Sequence, residues 1–259
     1  MTTQDIQAVF VDVDGTTFRH DIYEVPQSTF DALRRLKKQG IKLCLLSSRT
    51  PEETVHLPRS FIELMDARLW SAGAVVIENT KRTIHTIHSD DALTLMEYAR
   101  QHELVVRYST GEKGYFDQRT KPEFSAIFDY LYHTQPENKR WENDPCVCAV
   151  VFADPTRQDE LAQKLKHSRF TKMPNCIEIT PHGIDKGSAL IAQCQRWGIP
   201  VEKTVAFGDG INDITMLKAA GLGIAMGNAH ATVRAAADKI CGRIEDDGLY
   251  RCVKELGLI

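Results

Sequence analysis

The sequence predicts an α/β protein: a mainly parallel sheet flanked by helices, with a second, α+β unit inserted into it. Three observations lead there. Apolar runs at residues 8–11, 41–46 and 204–207 have the continuous hydrophobicity of strands buried on both faces. Each runs into a short polar block and then a helical pattern, the order expected when parallel strands alternate with helices. From about Ile84 that alternation gives way to a different organisation, and it resumes near Lys186. The expected division is a core of residues 1–82 and 184–259 and an insertion of residues 83–183, which is domain-sized.

Taken in order, the first strand, residues 8–11, ends at Asp12. Pro26 leads into an amphipathic helix carrying Phe30, Leu33 and Leu36, stopped by Gly40. The second strand ends at Ser47-Ser48-Arg49, and Thr50-Pro51 opens a second helix, bent or ended near Pro58. Residues 69–77 read as a third strand and a turn. In the insertion, a helix over 90–102 precedes a strand over 104–108, a turn at Gly111 and the pair Tyr115-Phe116. A helix near 123–131, a polar linker over 134–145, a strand over 146–152, a helix over 156–166 and closing strands over 170–179 complete it. The chain returns through Pro181-His182-Gly183 to Lys186, a helix over 188–197, the strand at 204–207 and a helix over 214–220 ended by Gly221.

Three short pieces fit one chemistry. They are Asp12-Val13-Asp14-Gly15-Thr16, Lys186-Gly187 and Gly208-Asp209-Gly210-Ile211-Asn212-Asp213. Asp12 and Asp14 follow a buried strand, where open α/β sheets bind ligands, and their i, i+2 spacing points both carboxylates the same way. One could attack phosphorus while the other protonates the leaving oxygen and later activates water. Asp209 and Asp213, also at a strand end, combine with Asp12 into an oxygen ligand set that suits Mg²⁺. Lys186 and the cation would offset the repulsion between this cluster and a phosphate dianion.

These motifs resemble those of the haloacid dehalogenase superfamily, in particular the Cof-type phosphatases with a large α/β cap. Asp12-Val13-Asp14-Gly15-Thr16 is similar to that family's DxDGT, Ser47-Ser48-Arg49 to its second motif, Lys186 to its third and Asp209 with Asn212-Asp213 to its GDGxND. Ala225-Met226-Gly227-Asn228-Ala229 and Asp246-Asp247-Gly248 resemble further signatures. The resemblance implies a Rossmann-like core with an inserted cap and Mg²⁺-dependent hydrolysis of small phosphomonoesters such as sugar phosphates, through an aspartyl-phosphate. It implies Asp12 as nucleophile, Asp14 as general acid/base, and Lys186, Ser47, Ser48 and Asn212 around the phosphate. Asp12, the carbonyl of Asp14, Asp209 and Asp213 would serve the metal. The chain departs from the family at Ala72, where Ser71-Ala72-Gly73-Ala74 replaces the usual Ser-Asn-Gly-Ala, and at Thr17, where an apolar residue is common. A phosphomutase on the same scaffold and a non-catalytic phospholigand sensor are the alternatives.

Competing motif readings are weaker. An EF-hand loop would need Gly where Thr17 stands and Glu where Tyr23 stands. Gly221 to Gly227 resembles a dinucleotide loop but places Met226 at its third glycine. Cys146 and Cys148 lie on an apolar strand without the partner pair a zinc site needs, so they read as core residues sharing one face. Arg19, His20, His182 and the turn at residues 109–113 are candidates to face a leaving group.

Composition narrows the class. The 259 residues are 42% hydrophobic with a net charge of −3, acidic and basic residues being mixed. This balance favours neither nucleic acid nor an anionic membrane as partner. A small phosphorylated molecule is the expected partner, for a monomer or homodimer. The seven scattered cysteines, and the lack of a long apolar stretch, lead to a cytoplasmic expectation.

Overall fold

The computed structural model describes residues 5–117, 124, 126, 128–129 and 136–259. At the centre of its first sheet lies β1 (Ala8–Val11). On one side follow β2 (Lys42–Leu46), β3 (Ala67–Trp70), β4 (Val75–Glu78) and β5 (Lys81–Ile84). On the other lie β12 (Thr204–Gly208), β13 (Leu222–Ala225) and β14 (Lys239–Ile240). Strands from β14 across to β3 are parallel, and β4 and β5 close the edge in antiparallel fashion.

The apolar run of β1 is buried on both faces because helices cover both. Val9 and Val11 pack with Leu33 and Leu36 of α1 (Gln27–Lys38) and Val253 of α8 (Gly248–Glu255). Ala8 and Phe10 face Leu190 of α5 (Lys186–Trp197) and Leu217 of α6 (Ile214–Ala219). This alternation is the period of two expected for a strand between two helical layers.

A second, six-stranded sheet comes from the middle of the chain: β10 (Ser168–Met173), β11 (Cys176–Pro181), β9 (Cys148–Phe152), β6 (Val105–Ser109), β7 (Gly114–Phe116) and β8 (Glu137–Asn138), in that spatial order. Helices α3 (Ser89–Gln101) and α4 (Pro155–Lys164) cover one face, where Leu95, Met96 and Leu161 meet Val106, Val151 and Ile177. Asp91 in the first turn of α3 accepts hydrogen bonds from the Lys166 and His167 amides at 3.0 and 2.7 Å and from the Ser168 hydroxyl at 2.6 Å. That tie fixes the helix to β10.

The other face turns toward the first sheet. Val147 and Cys148 join Trp70 and Val75 in one cluster, and Arg82 of β5 reaches Glu112 at 2.7 Å and the Gly111 carbonyl at 2.8 Å.

Two local expectations change. The stretch after Thr50 forms only a 3₁₀ turn (Glu52–Thr54), and the helix proper, α2 (Arg59–Leu64), starts after Pro58. Leu57 precedes a proline, which disfavours helical backbone there, and Pro58 itself is extended at ψ 132. Cys146 and Cys148 are both buried, but they do not share a face. β9 begins at Cys148, so Cys146 packs into the helix-covered side while Cys148 packs toward the first sheet. The helix expected near 123–131 and the start of the linker fall largely outside the described residues.

Candidate active site

Four segments meet at the carboxyl edge of the first sheet. β1 delivers Asp12, whose amide still donates to the Phe207 carbonyl at 3.1 Å, so the nucleophile candidate is fixed by the sheet ladder. Gly15 then turns the chain at φ +77, and a Cβ there would stand 2.1 Å from Asp209 Oδ2. Only glycine allows that approach.

Lys186 opens α5, with Asp185 as its N-cap and Ser188 completing a capping box. A lysine in a first helical turn opposes the helix dipole. Two carboxylates offset this: Nζ donates to Asp12 Oδ1 at 2.6 Å and to Asp213 Oδ1 at 2.5 Å, fully buried. Asp213 uses its other oxygen to accept the amides of Asp209 and Gly210 at 2.9 and 2.8 Å, closing the loop after β12. Asp209 receives the Thr16 hydroxyl at 2.8 Å, and Asn228 donates to the Gly15 carbonyl at 2.8 Å.

Crowding sets the electrostatics. Burial, and then the neighbouring Asp213, raise the Asp12 carboxyl well above the ordinary range despite Lys186. The same two causes lift Asp209 to about 7, against the Thr16 hydrogen bond and Lys186. Burial would depress Lys186, but Asp12 and Asp213 outweigh it and hold the ammonium charged. Asp14 goes the other way. Burial alone would raise it; the hydrogen bond from His20 and the Arg49 guanidinium bring it down to about 2. Arg49 grips it with Nη2 on Oδ1 at 2.6 Å and Nε on Oδ2 at 3.0 Å, and His20 Nε2 lies 2.8 Å from Oδ1.

Ligand-competent oxygens of Asp12, Asp209 and Asp213 all lie within 4.8 Å of one another. Three carboxylates drawn together at a strand edge, two of them buried and the third partly so, with a single lysine between two of them, form a donor set of hard oxygens that fits a divalent cation such as Mg²⁺.

Two of the phosphate candidates, Ser48 and Asn212, meet directly. Ser47 is buried, and its Oγ accepts the Arg49 amide at 3.1 Å. Ser48 Oγ accepts from Asn212 at 2.9 Å. Ala72, which stands where the family favours Asn, sits at φ +56, a left-handed backbone that Asn tolerates better than Ala. Its amide nonetheless donates to the Ser47 carbonyl at 3.0 Å, so the backbone tie to the second motif is made without the side chain.

Among the leaving-group candidates only His20 reaches the cluster. Arg19 pairs with Asp21, His182 is exposed, and the turn at 109–113 is engaged by Arg82 and Glu52. Residues not singled out from sequence surround the site instead: Thr16, Glu53, Arg107 and Glu178, with Arg49 in a role its motif position did not specify. Arg107 of β6 reaches Glu53 at 2.6 Å in full burial, and Glu53 in turn accepts the Thr50 amide at 2.7 Å. Glu178 of β11 is buried on the same side, within electrostatic reach of Ser48 and Lys186, and burial raises its carboxyl. A charged residue in the middle of an otherwise apolar strand was the one available signal.

Known proteins agree with this architecture. Residues 9–253 match the family described as haloacid dehalogenase-like hydrolase. The chain belongs to that family, in its Cof-type phosphatase branch. It is 25% identical over 265 residues to the putative phosphatase YkrA of Bacillus subtilis, covering 98% of this chain and 99% of the relative. It is 27% identical to an HMP-PP phosphatase of Shigella flexneri over 240 residues, 88% of this chain and 86% of that protein. The solved structure of the phosphatase BT1666 from Bacteroides thetaiotaomicron superposes with a TM-score of 0.86 at 27% identity, covering 98% of this chain and 96% of the other.

Proposed function

We propose that this protein is a Mg²⁺-dependent phosphatase of small phosphomonoesters, sugar phosphates or related metabolites, working through a phosphoryl group carried on Asp12. The observation that carries the proposal is the Asp12–Lys186–Asp213 arrangement. It presents one strand-end carboxylate oxygen, held by a buried ammonium, beside a second carboxylate fixed by backbone amides.

In this reading Asp12 attacks phosphorus in line with the ester oxygen. Lys186, Ser47, Ser48 and Asn212 hold the non-bridging oxygens and neutralise their charge in the transition state. Asp14 would protonate the departing oxygen, then take a proton from the water that hydrolyses the acyl phosphate. The grip of Arg49 and His20 keeps Asp14 ionised, which is the form the second half-reaction uses; for the first, Asp14 must leave those contacts and take up a proton from solvent before donating it to the leaving oxygen. Asp12, the Asp14 carbonyl, Asp209 and Asp213 would hold Mg²⁺, which when bound supplies positive charge against the phosphoryl oxygens. Residues 83–183 would act as a cap that excludes water. The seven free cysteines and the absence, among the described residues, of any helix long and apolar enough to cross a membrane support the cytoplasmic assignment.

Phosphate release from a panel of sugar phosphates, with and without Mg²⁺, tests the proposal. Asp12→Asn, which preserves shape, is expected to lose turnover by about a thousandfold or more while its thermal unfolding stays cooperative. Near-native release by that variant would sink the covalent mechanism.

A further inference from the structure

The face of the second sheet that looks toward the first carries a buried charge pair that the proposed chemistry does not use. Strand register places it. Arg107 of β6 and Glu178 of β11 both pair with Val150 of the intervening β9. Directly opposed residues share a face, so the guanidinium and the carboxylate flank an aliphatic side chain in one row. Both charged residues are only 3% exposed. Phe116 of β7, opposite Arg107, continues this row and packs with Phe128, while Cys148 lies in the next row along β9, each within an apolar cluster. The polar row is thus a defined band in an otherwise apolar sheet face.

Each end is built rather than incidental. Gly114 of β7 leaves room for the guanidinium, since a Cβ there would stand 2.9 Å from both Arg107 Nε and Nη2. Glu53 of the first unit holds Arg107 at 2.6 Å. Glu178 is buried on the same face and lies within electrostatic reach of Lys186 and of Ser48, the residue Asn212 engages, which puts its carboxylate near the phosphate candidates. A buried anion beside a site for a dianion is unfavourable unless something donates to it.

Resting on the phosphatase reading above, we infer that Glu178 and Arg107 select the leaving group, and that the class they select is an uncharged, polyhydroxylated one. Hydroxyls donate to Glu178 and accept from Arg107, while ring or chain carbons lie on Val150. A leaving group bearing a carboxylate or a second phosphate meets the Glu178 charge and is disfavoured. A flat aromatic one brings no hydroxyl to either charged group.

The test compares kcat/KM for glucose 6-phosphate with that for p-nitrophenyl phosphate, whose leaving group has no hydroxyl donors beyond the ester oxygen. In Glu178→Gln and Arg107→Gln, the ratio of the two is expected to fall by about tenfold to a hundredfold from wild type. Glu178→Gln keeps side-chain shape, and its melting curve checks that it folds if Arg107→Gln does not. A ratio within twofold of wild type in folded Glu178→Gln overturns the inference. Wild type that releases phosphate from neither compound, nor from the wider sugar phosphate panel, defeats the phosphatase reading instead, so the two failures are distinguishable.

Discussion

Replacing Lys186 with Met removes the ammonium and keeps most of the apolar stem. The structure sets the consequence. Nζ is buried and holds Asp12 at 2.6 Å and Asp213 at 2.5 Å, with Asp209 close by. Losing one partner of a buried ion pair leaves charge uncompensated and costs about 3–5 kcal/mol. The carboxylates can relieve part of this by taking up protons, so the effect depends on pH. Asp12 and Asp209 already have folded pKa values above their ordinary ones. A raised acid binds more protons folded than unfolded, so stability falls as pH climbs from the ordinary carboxyl range to the folded pKa. Without Lys186 both are raised further and that window widens upward. Urea unfolding of metal-free protein at pH 8 should therefore show the full loss, and at pH 5 a smaller one. Phosphate release should fall at least a hundredfold at either pH, because the charge facing the transition state is gone. A stability loss below about 1 kcal/mol at pH 8, or one that grows on acidification, would refute the electrostatic account.

Other perturbations test separate parts of the site and scaffold. Mg²⁺ should raise the melting temperature of wild type more at pH 8 than at pH 5, because it competes with protons for Asp209, whose folded pKa is about 7; Asp209→Asn should weaken that response, which calorimetry would check. Gly15→Ala puts a Cβ 2.1 Å from Asp209 Oδ2 at a left-handed residue. It should abolish the Mg²⁺ response and destabilise by about 1–2 kcal/mol from backbone strain alone; a native-like Mg²⁺ shift would show that Asp209 is placed by other means. Asp91→Ala removes three hydrogen bonds between α3 and the start of β10 and should cost about 2–4 kcal/mol at pH 7. Its folded pKa is lowered, so its stabilisation is complete above the ordinary Asp value and disappears as pH falls through the folded one. The difference from wild type should therefore shrink in acid.

The carboxylates proposed as catalytic were legible in the sequence because their positions are set locally. Asp12 follows a run of four apolar residues that must be a buried strand, and Asp209 and Asp213 follow another. Parallel pairing of β1 with β12 then brings the two ends together. Lys186 was legible through its motif, although its role depends on α5 starting at that residue. The Arg107–Glu53 pair was not legible, because it joins residues on different units whose meeting depends on how the second sheet packs over the first. Likewise the Arg49 grip on Asp14 was not legible, because it joins two strand-end loops, and the tight turn after Thr50, in place of the expected helix, adds a Glu53 carbonyl that accepts from the same guanidinium at 2.8 Å. Strand-end chemistry is written in adjacent residues, whereas cross-sheet chemistry depends on register.

The most direct test of the central claim is to stop the reaction of wild type with a sugar phosphate and Mg²⁺ in acid and locate any covalent phosphoryl group by peptide mass spectrometry. Phosphate on the peptide that contains Asp12, absent from Asp12→Asn, is the predicted result. Steady phosphate release with that peptide unmodified throughout, or release undiminished in Asp12→Asn, would contradict it.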